Sequence, residues 1–203
     1  MLSISHNFLF VHIPKTAGNS IQNILQQYSD DKIVCEAPHH DGRERFTVRH
    51  PDFRTRKHSS LKDYREQYGE EIFNRLYKFA CVRNPWDRVV SYYFSPNHGR
   101  TFLDKTAFIR EIDKVPLTSS YLALTGQVQD MATVVKNVDY IMRFEDLNAD
   151  FKTVCRELQI DQQELPVRNK SNRENYRSYY DQETMEFVAR RFADEISYFG
   201  YTF

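Results

Sequence analysis

Phe8-Leu9-Phe10-Val11-His12-Ile13-Pro14-Lys15-Thr16-Ala17-Gly18-Asn19-Ser20 is the stretch that decides how this chain folds. An apolar run enters a tight turn carrying a lysine, a glycine and two hydroxyls, and a helix starts directly after it. Ile21, Ile24, Leu25 and Tyr28 then fall at i, i+3, i+4 and i+7, the apolar face of that helix. A strand–turn–helix of this kind makes an oxyanion cradle. The first N–H groups of a helix lack partners, and its dipole attracts phosphate or sulfate. Lys15 adds a full positive charge, Thr16 and Ser20 add hydroxyls, and the amides through Ala17 and Asn19 line the turn. Gly18, without a Cβ, lets the backbone come close to a ligand.

This is not the ordinary nucleotide loop. There the lysine follows the glycines, Gly-x4-Gly-Lys-Ser/Thr. Here Lys15 precedes Gly18, and no glycine stands earlier in the chain. The structural alternative is a plain strand–turn–helix whose lysine is solvated.

A second run of the same type starts at the predicted strand 76–82 and continues Arg83-Asn84-Pro85-Trp86-Asp87-Arg88-Val89-Val90-Ser91. Asn84 is a good N-cap and Pro85 suits the first helical position. Arg83 at the strand end and Ser91 two turns into the helix offer a bidentate fork and a hydroxyl to a phosphate. The structural alternative pairs Arg83 with Asp87 and buries Trp86 in the core.

Between and beyond these runs the patterns are coarser. The periodicity dissolves at about Asp30, and residues 36–60 read as an irregular basic excursion holding His39, His40, His50 and His58. A helix is predicted over 61–75. A second excursion, about 96–130, belongs to a mostly helical stretch. A third strand is predicted over 139–144, a helix over 145–158, a polar basic loop over 167–173, and a last helix within 179–199. Strands alternating with helices predict an α/β fold, a three-layer, mostly parallel central sheet with a P-loop-like strand–turn–helix. At 203 residues one domain spanning 1–203 is expected.

Bulk composition excludes several classes. Lys plus Arg equals Asp plus Glu, 28 each, so no global field points to nucleic acid or a membrane surface. The three cysteines, Cys35, Cys81 and Cys155, are scattered and odd in number, which argues for reduced thiols rather than a disulfide framework. No run approaches the roughly 18 apolar residues of a membrane helix, and the N-terminus lacks a signal-peptide pattern. A cytoplasmic protein, bacterial in origin, is the expectation. A metal site from Cys35, His39, His40 and His50 matches no zinc spacing.

The two runs, about 65 residues apart in this order, together with Arg143-Phe144-Glu145-Asp146-Leu147, Asn169-Lys170-Ser171-Asn172-Arg173 and Phe199-Gly200-Tyr201, resemble the sulfotransferase family that includes the heparan- and chondroitin-type carbohydrate enzymes. The resemblance implies 3′-phosphoadenosine 5′-phosphosulfate (PAPS) as sulfuryl donor, a small-molecule or glycan acceptor, and no metal. It places Lys15, Thr16, Ala17, Gly18, Asn19 and Ser20 around the 5′-phosphosulfate, Arg83 and Ser91 at the 3′-phosphate, and Lys170 and Ser171 in a late loop over the nucleotide. It makes His58 the base that accepts the acceptor's proton, with His39 and His40 as runners-up and Lys15 at the bridging oxygen. Two other classes stay open: a P-loop-type kinase, which would need Mg²⁺ ligands, and a non-catalytic module binding sulfated ligands through residues 43–57.

Overall fold

Strand residues alternate between two cores, and this alternation places everything else. In the computed structural model β1 (Leu2–Ser3), β2 (Phe8–Val11), β5 (Tyr77–Val82) and β6 (Tyr140–Arg143) form one sheet in the order β1-β2-β5-β6. Successive side chains of a strand point to opposite faces. Phe8, Phe10, Phe79 and Cys81 accordingly enter one core, and Leu9, Val11, Ala80 and Val82 the other. Fully burying one such phenylalanine or leucine contributes about 1.5–3 kcal/mol relative to exposure. The structure describes residues 1–36, 45–50, 52–95, 100–127, 129–166 and 173–203, with the backbone alone for 33–36 and 45–49.

On the first face lie α1 (Gly18–Leu25), contributing Ile21, Ile24 and Leu25, and α7 (Leu147–Glu157), contributing Phe151, Val154 and Cys155. On the second lie α2 (Leu61–Arg75), α3 (Pro85–Tyr93), α4 (Lys105–Lys114) and α8 (Gln182–Arg191), with Tyr64, Val89, Val90, Phe108 and Val188 in the core. Helices on both faces of a sheet buried on both sides give the expected three layers. The short helices α5 (Thr118–Leu122) and α6 (Met131–Val134) complete the second layer, followed near the C-terminus by α9 (Ala193–Phe199).

The α/β class and the parallel pairs β2–β5 and β5–β6 follow the sequence reading, with three corrections. An antiparallel edge strand, β1, pairs Leu2 with Leu9 and Ser3 with Phe8. The stretch read as irregular from Asp30 onward contains a separate antiparallel hairpin, β3 (Lys32–Glu36) with β4 (Arg45–Arg49). The last helix is two, α8 and α9, interrupted at Phe192, whose φ of −114° is non-helical.

Two local features shape α2. Ser60 caps α2 in a reciprocal capping box with Asp63. The same helix is broken at Gly69, where φ is +77° and a side chain would be strained. Among the described residues no helix is long and apolar enough to cross a membrane, and no cluster of three or more His, Cys, Asp or Glu side chains is arranged for a metal ion.

Candidate functional site

The turn after β2 is held in a conformation most residues avoid. Lys15 (φ 69°) and Ala17 (φ 68°) are both left-handed without being glycine, at a cost of order 1–3 kcal/mol each. Two bonds hold the shape. The Thr16 hydroxyl donates to the Ile13 carbonyl at 2.8 Å, and Arg83 Nη1 donates to the Lys15 carbonyl at 3.1 Å. Thr16 therefore spends its hydroxyl on bracing the turn and sits fully buried. Ala17 is the N-cap of α1 and supplies no side-chain cap. Among the described residues the Gly18 and Asn19 amides find no protein acceptor, which is the condition for an anion site. Ser20 lies one residue further into the same turn, buried.

Gly18 is required by a neighbour that sequence reading missed. A Cβ built on it would stand 1.9 Å from Nε2 and 2.0 Å from Cδ2 of His12. The His12 ring is itself buried, stacked at 5.8 Å on Phe10 and 4.5 Å from the ring of His58. It cannot yield without disturbing the core. Gly18→Ala is expected to destabilise the fold by about 1–3 kcal/mol, the usual range for overpacking. Chemical denaturation of Gly18→Ala, His12→Ala and the double variant checks this. Additive losses would show that the two positions do not collide.

His58 is fastened to the same unit. Its Nδ1 lies 2.9 Å from the His12 carbonyl oxygen. A carbonyl only accepts, so Nδ1 carries the proton and Nε2 keeps its lone pair when the ring is neutral. Part of the His58 surface reaches solvent, yet the protein packed around it removes enough water to lower its pKa below the usual histidine value. The His12 carbonyl opposes this, while the positive charges of Lys57 and Lys15 add to it. His12 is lowered further, chiefly by burial, so the surroundings favour the neutral form of both rings.

At the second motif the structure draws in both readings of Arg83. Asn84 caps α3 by accepting from the Trp86 amide, Pro85 opens the helix, and Trp86 is buried. Arg83, 8% exposed, pairs with Asp87 through Nε (2.9 Å) and Nη2 (2.6 Å), and lies 3.7 Å over the Phe144 ring. With Nη1 on Lys15, three of the five N–H groups of a guanidinium are used, leaving one on each terminal nitrogen. The other carboxylate oxygen of Asp87 accepts from Arg173 Nη2. Ser91 lies half-buried on α3.

The first motif and His58 are thus joined by direct contacts, and Arg83 connects the second motif to them through the Lys15 carbonyl. His12, Asp87, Arg173 and Lys57 are the additions; of these, Asp87 was legible only as an ion partner. Lys170, Ser171, His39 and His40 lie outside the described residues. Cys81 is buried and its thiol pKa is pushed well up, first by burial, so it is no nucleophile.

No curated protein matches the chain. Among solved structures, the crystal structure of a sulfotransferase from Alicyclobacillus acidocaldarius is similar at 17% identity, covering 97% of this chain and 96% of that one, with a TM-score of 0.43. The profile of the sulfotransferase family matches residues 1–202, and with that extent of match the chain belongs to the sulfotransferase family.

Proposed function

We propose that this sulfotransferase moves a sulfuryl group from PAPS to a hydroxyl of a carbohydrate acceptor. The observation that carries the reading is the joining of an uncapped helix N-terminus, with Lys15 at its turn, to a neutral histidine whose Nδ1 is tied to the His12 carbonyl. The residues present fit such a donor. The Gly18 and Asn19 amides suit a phosphosulfate, and the two remaining N–H groups of Arg83, with the Ser91 hydroxyl, suit a 3′-phosphate. When bound, PAPS supplies the sulfuryl group, and its S–O bond breaks to leave adenosine 3′,5′-bisphosphate as the new O–S bond forms.

The chain's own residues do the rest. His58 takes the acceptor's hydroxyl proton on Nε2, while the His12 carbonyl holds the ring in the tautomer that leaves this atom free. Lys15 sets a positive charge where negative charge grows on the leaving oxygen, and the first-turn amides of α1 hold the remaining oxygens. Arg83 keeps the Lys15 peptide in its left-handed conformation. Lys170 and Ser171 belong to the same proposal as a late basic loop on the nucleotide.

Calorimetric titration with adenosine 3′,5′-bisphosphate, with AMP and Mg²⁺-ATP as competitors, tests the donor. Micromolar or tighter binding that needs the 3′-phosphate is expected. Preference for Mg²⁺-ATP would replace the reading with a kinase, and no nucleotide binding would leave a module that binds sulfated ligands.

A further inference from the structure

Gln22 lies on α1 among Ile21, Ile24 and Leu25, and it is 1% exposed. Both of its amide atoms are buried, and among the described residues neither has a partner in full hydrogen-bond geometry. Nδ1 of His12 is in the same situation. Burying such groups without partners destabilises a fold, so stability alone gives no reason for a glutamine here.

The helix brings the two side chains together. Gly18 and Gln22 are four residues apart and share one face of α1. The His12 ring fills the space that a Cβ on Gly18 would take. A helical side chain leans toward the N-terminus of its helix, so Gln22 leans over the turn where that ring lies. It acts on the ring as a neighbour that accepts from it, raising the His12 pKa against the larger effect of burial.

His12 in turn meets His58 twice. Its carbonyl holds Nδ1 at 2.9 Å, and its ring lies 4.5 Å from the His58 ring with the planes inclined at 58°. One hydrogen bond fixes a distance and leaves the ring free to turn about it. A second ring packed alongside removes that freedom, provided it is held in place itself. Phe10 stacks on the His12 ring, and Gln22 is the neutral polar side chain that reaches it.

We propose that Gln22 is a positioning residue for the base: its carboxamide oxygen accepts from the His12 ring and sets that ring as the wall against which His58 keeps Nε2 aimed at the acceptor. The assignment rests on the reading of His58 as the base. The charged groups that face the two rings are Lys57, Lys15 and the Met1 ammonium, all carried by segments other than α1. Lys57 Nζ donates to Asn19 Oδ1 at 2.5 Å from the turn at 56–59, which the Arg56 amide closes on Ser59 Oγ.

NMR of protein labelled with ¹⁵N in its histidine rings reads the tautomer of each imidazole, and the His12→Phe and His58→Ala spectra assign the two rings. At neutral pH the parent should show His58 protonated at Nδ1 alone. Gln22→Met keeps the length of the side chain and removes the amide. It should melt no lower than the parent and bind adenosine 3′,5′-bisphosphate within about twofold of it. His58 in this variant should drift to a mixture of tautomers. PAPS consumption with a turning-over acceptor should fall about tenfold, short of the roughly 10² that a 1 Å misplacement costs. His12→Phe leaves a ring with nothing for Gln22 to hold, so adding Gln22→Met to it should lower the rate no further. Parental tautomer and turnover in Gln22→Met would overturn the proposal, and so would losses that add in the double variant. A joint loss of melting temperature and bisphosphate affinity would overturn it in favour of a packing role. A His58→Ala protein that turns over like the parent would remove the base reading itself, and the proposal with it.

Discussion

His58→Ala should slow sulfuryl transfer by about 10²–10⁴, the usual worth of a general base, while the affinity for adenosine 3′,5′-bisphosphate stays as in the parent. The expectation follows from what the ring touches. Its Nδ1 is committed to the His12 carbonyl, its Nε2 has no such commitment, and the protein around it favours the neutral form. The sign of the pH dependence follows from the same facts. A base works unprotonated, and its pKa lies below the ordinary value of 6.5. The parent's kcat/KM should therefore hold steady from neutral pH downward, fall only once the pH has dropped below that value, and lose this acid limb in the variant. Rates of PAPS consumption with a turning-over acceptor, measured against pH, check both parts. Near-parental activity in His58→Ala, or an acid limb unchanged by it, would move the base to His39 or His40.

The second large effect concerns folding. Arg88 and Glu195 are 1% and 3% exposed, and Arg88 Nη1 donates to Glu195 Oε2 at 3.1 Å and to Thr118 Oγ1 at 2.8 Å. Glu195 also accepts from the Thr118 amide at 2.6 Å and from its hydroxyl at 2.8 Å, while Arg88 Nη2 donates to the Pro116 carbonyl. Every partner would be stranded by losing one charge. Removing one member of a buried pair costs about 3–5 kcal/mol, because the other is left uncompensated. Glu195→Ala should lose about that much in urea unfolding at neutral pH, whereas replacing both members by apolar side chains should cost much less than the single change. A loss under about 1 kcal/mol, the scale of an exposed pair, would show that the contact does not lock α3 to α5 and α9.

Local chemistry was readable in the sequence and remote pairing was not. The β2–α1 unit shows itself because its apolar period switches from two to 3.6 across a turn, and α2 spans the 61–75 expected of it. The edge strand β1 has two residues, too few to carry a period. In β4, Arg45-Phe46-Thr47-Val48-Arg49 does alternate, but the surrounding charges drown the signal. The apolar stripe of Met185, Val188, Phe192 and Ile196 runs straight through the break at Phe192, since a stripe reports a face and not a backbone angle. At the site, Lys15, Gly18, Arg83 and Asp87 were visible as types in a motif. His12 looked like strand filler, and the bond from Lys57 to Asn19 is set only by how the turn at 56–59 packs on α1.

Arg173 on Asp87 has a consequence for the order in which the molecule is made. Asp87 also holds Arg83, and Arg83 holds the Lys15 carbonyl, so the cradle near the start of the chain is backed by a residue 86 positions beyond Asp87. Asn84 and Trp86 are tied just as remotely, by Asn84 Nδ2 to the Thr202 carbonyl and by the indole N–H to the Met185 carbonyl. Contacts so distant close late, after the entropy of long loops has been met. A nascent chain that has released residues 1–166 from the ribosome carries both strand-to-helix turns yet lacks the groups that brace the second. Bracing of the second turn therefore waits for residues 173–202.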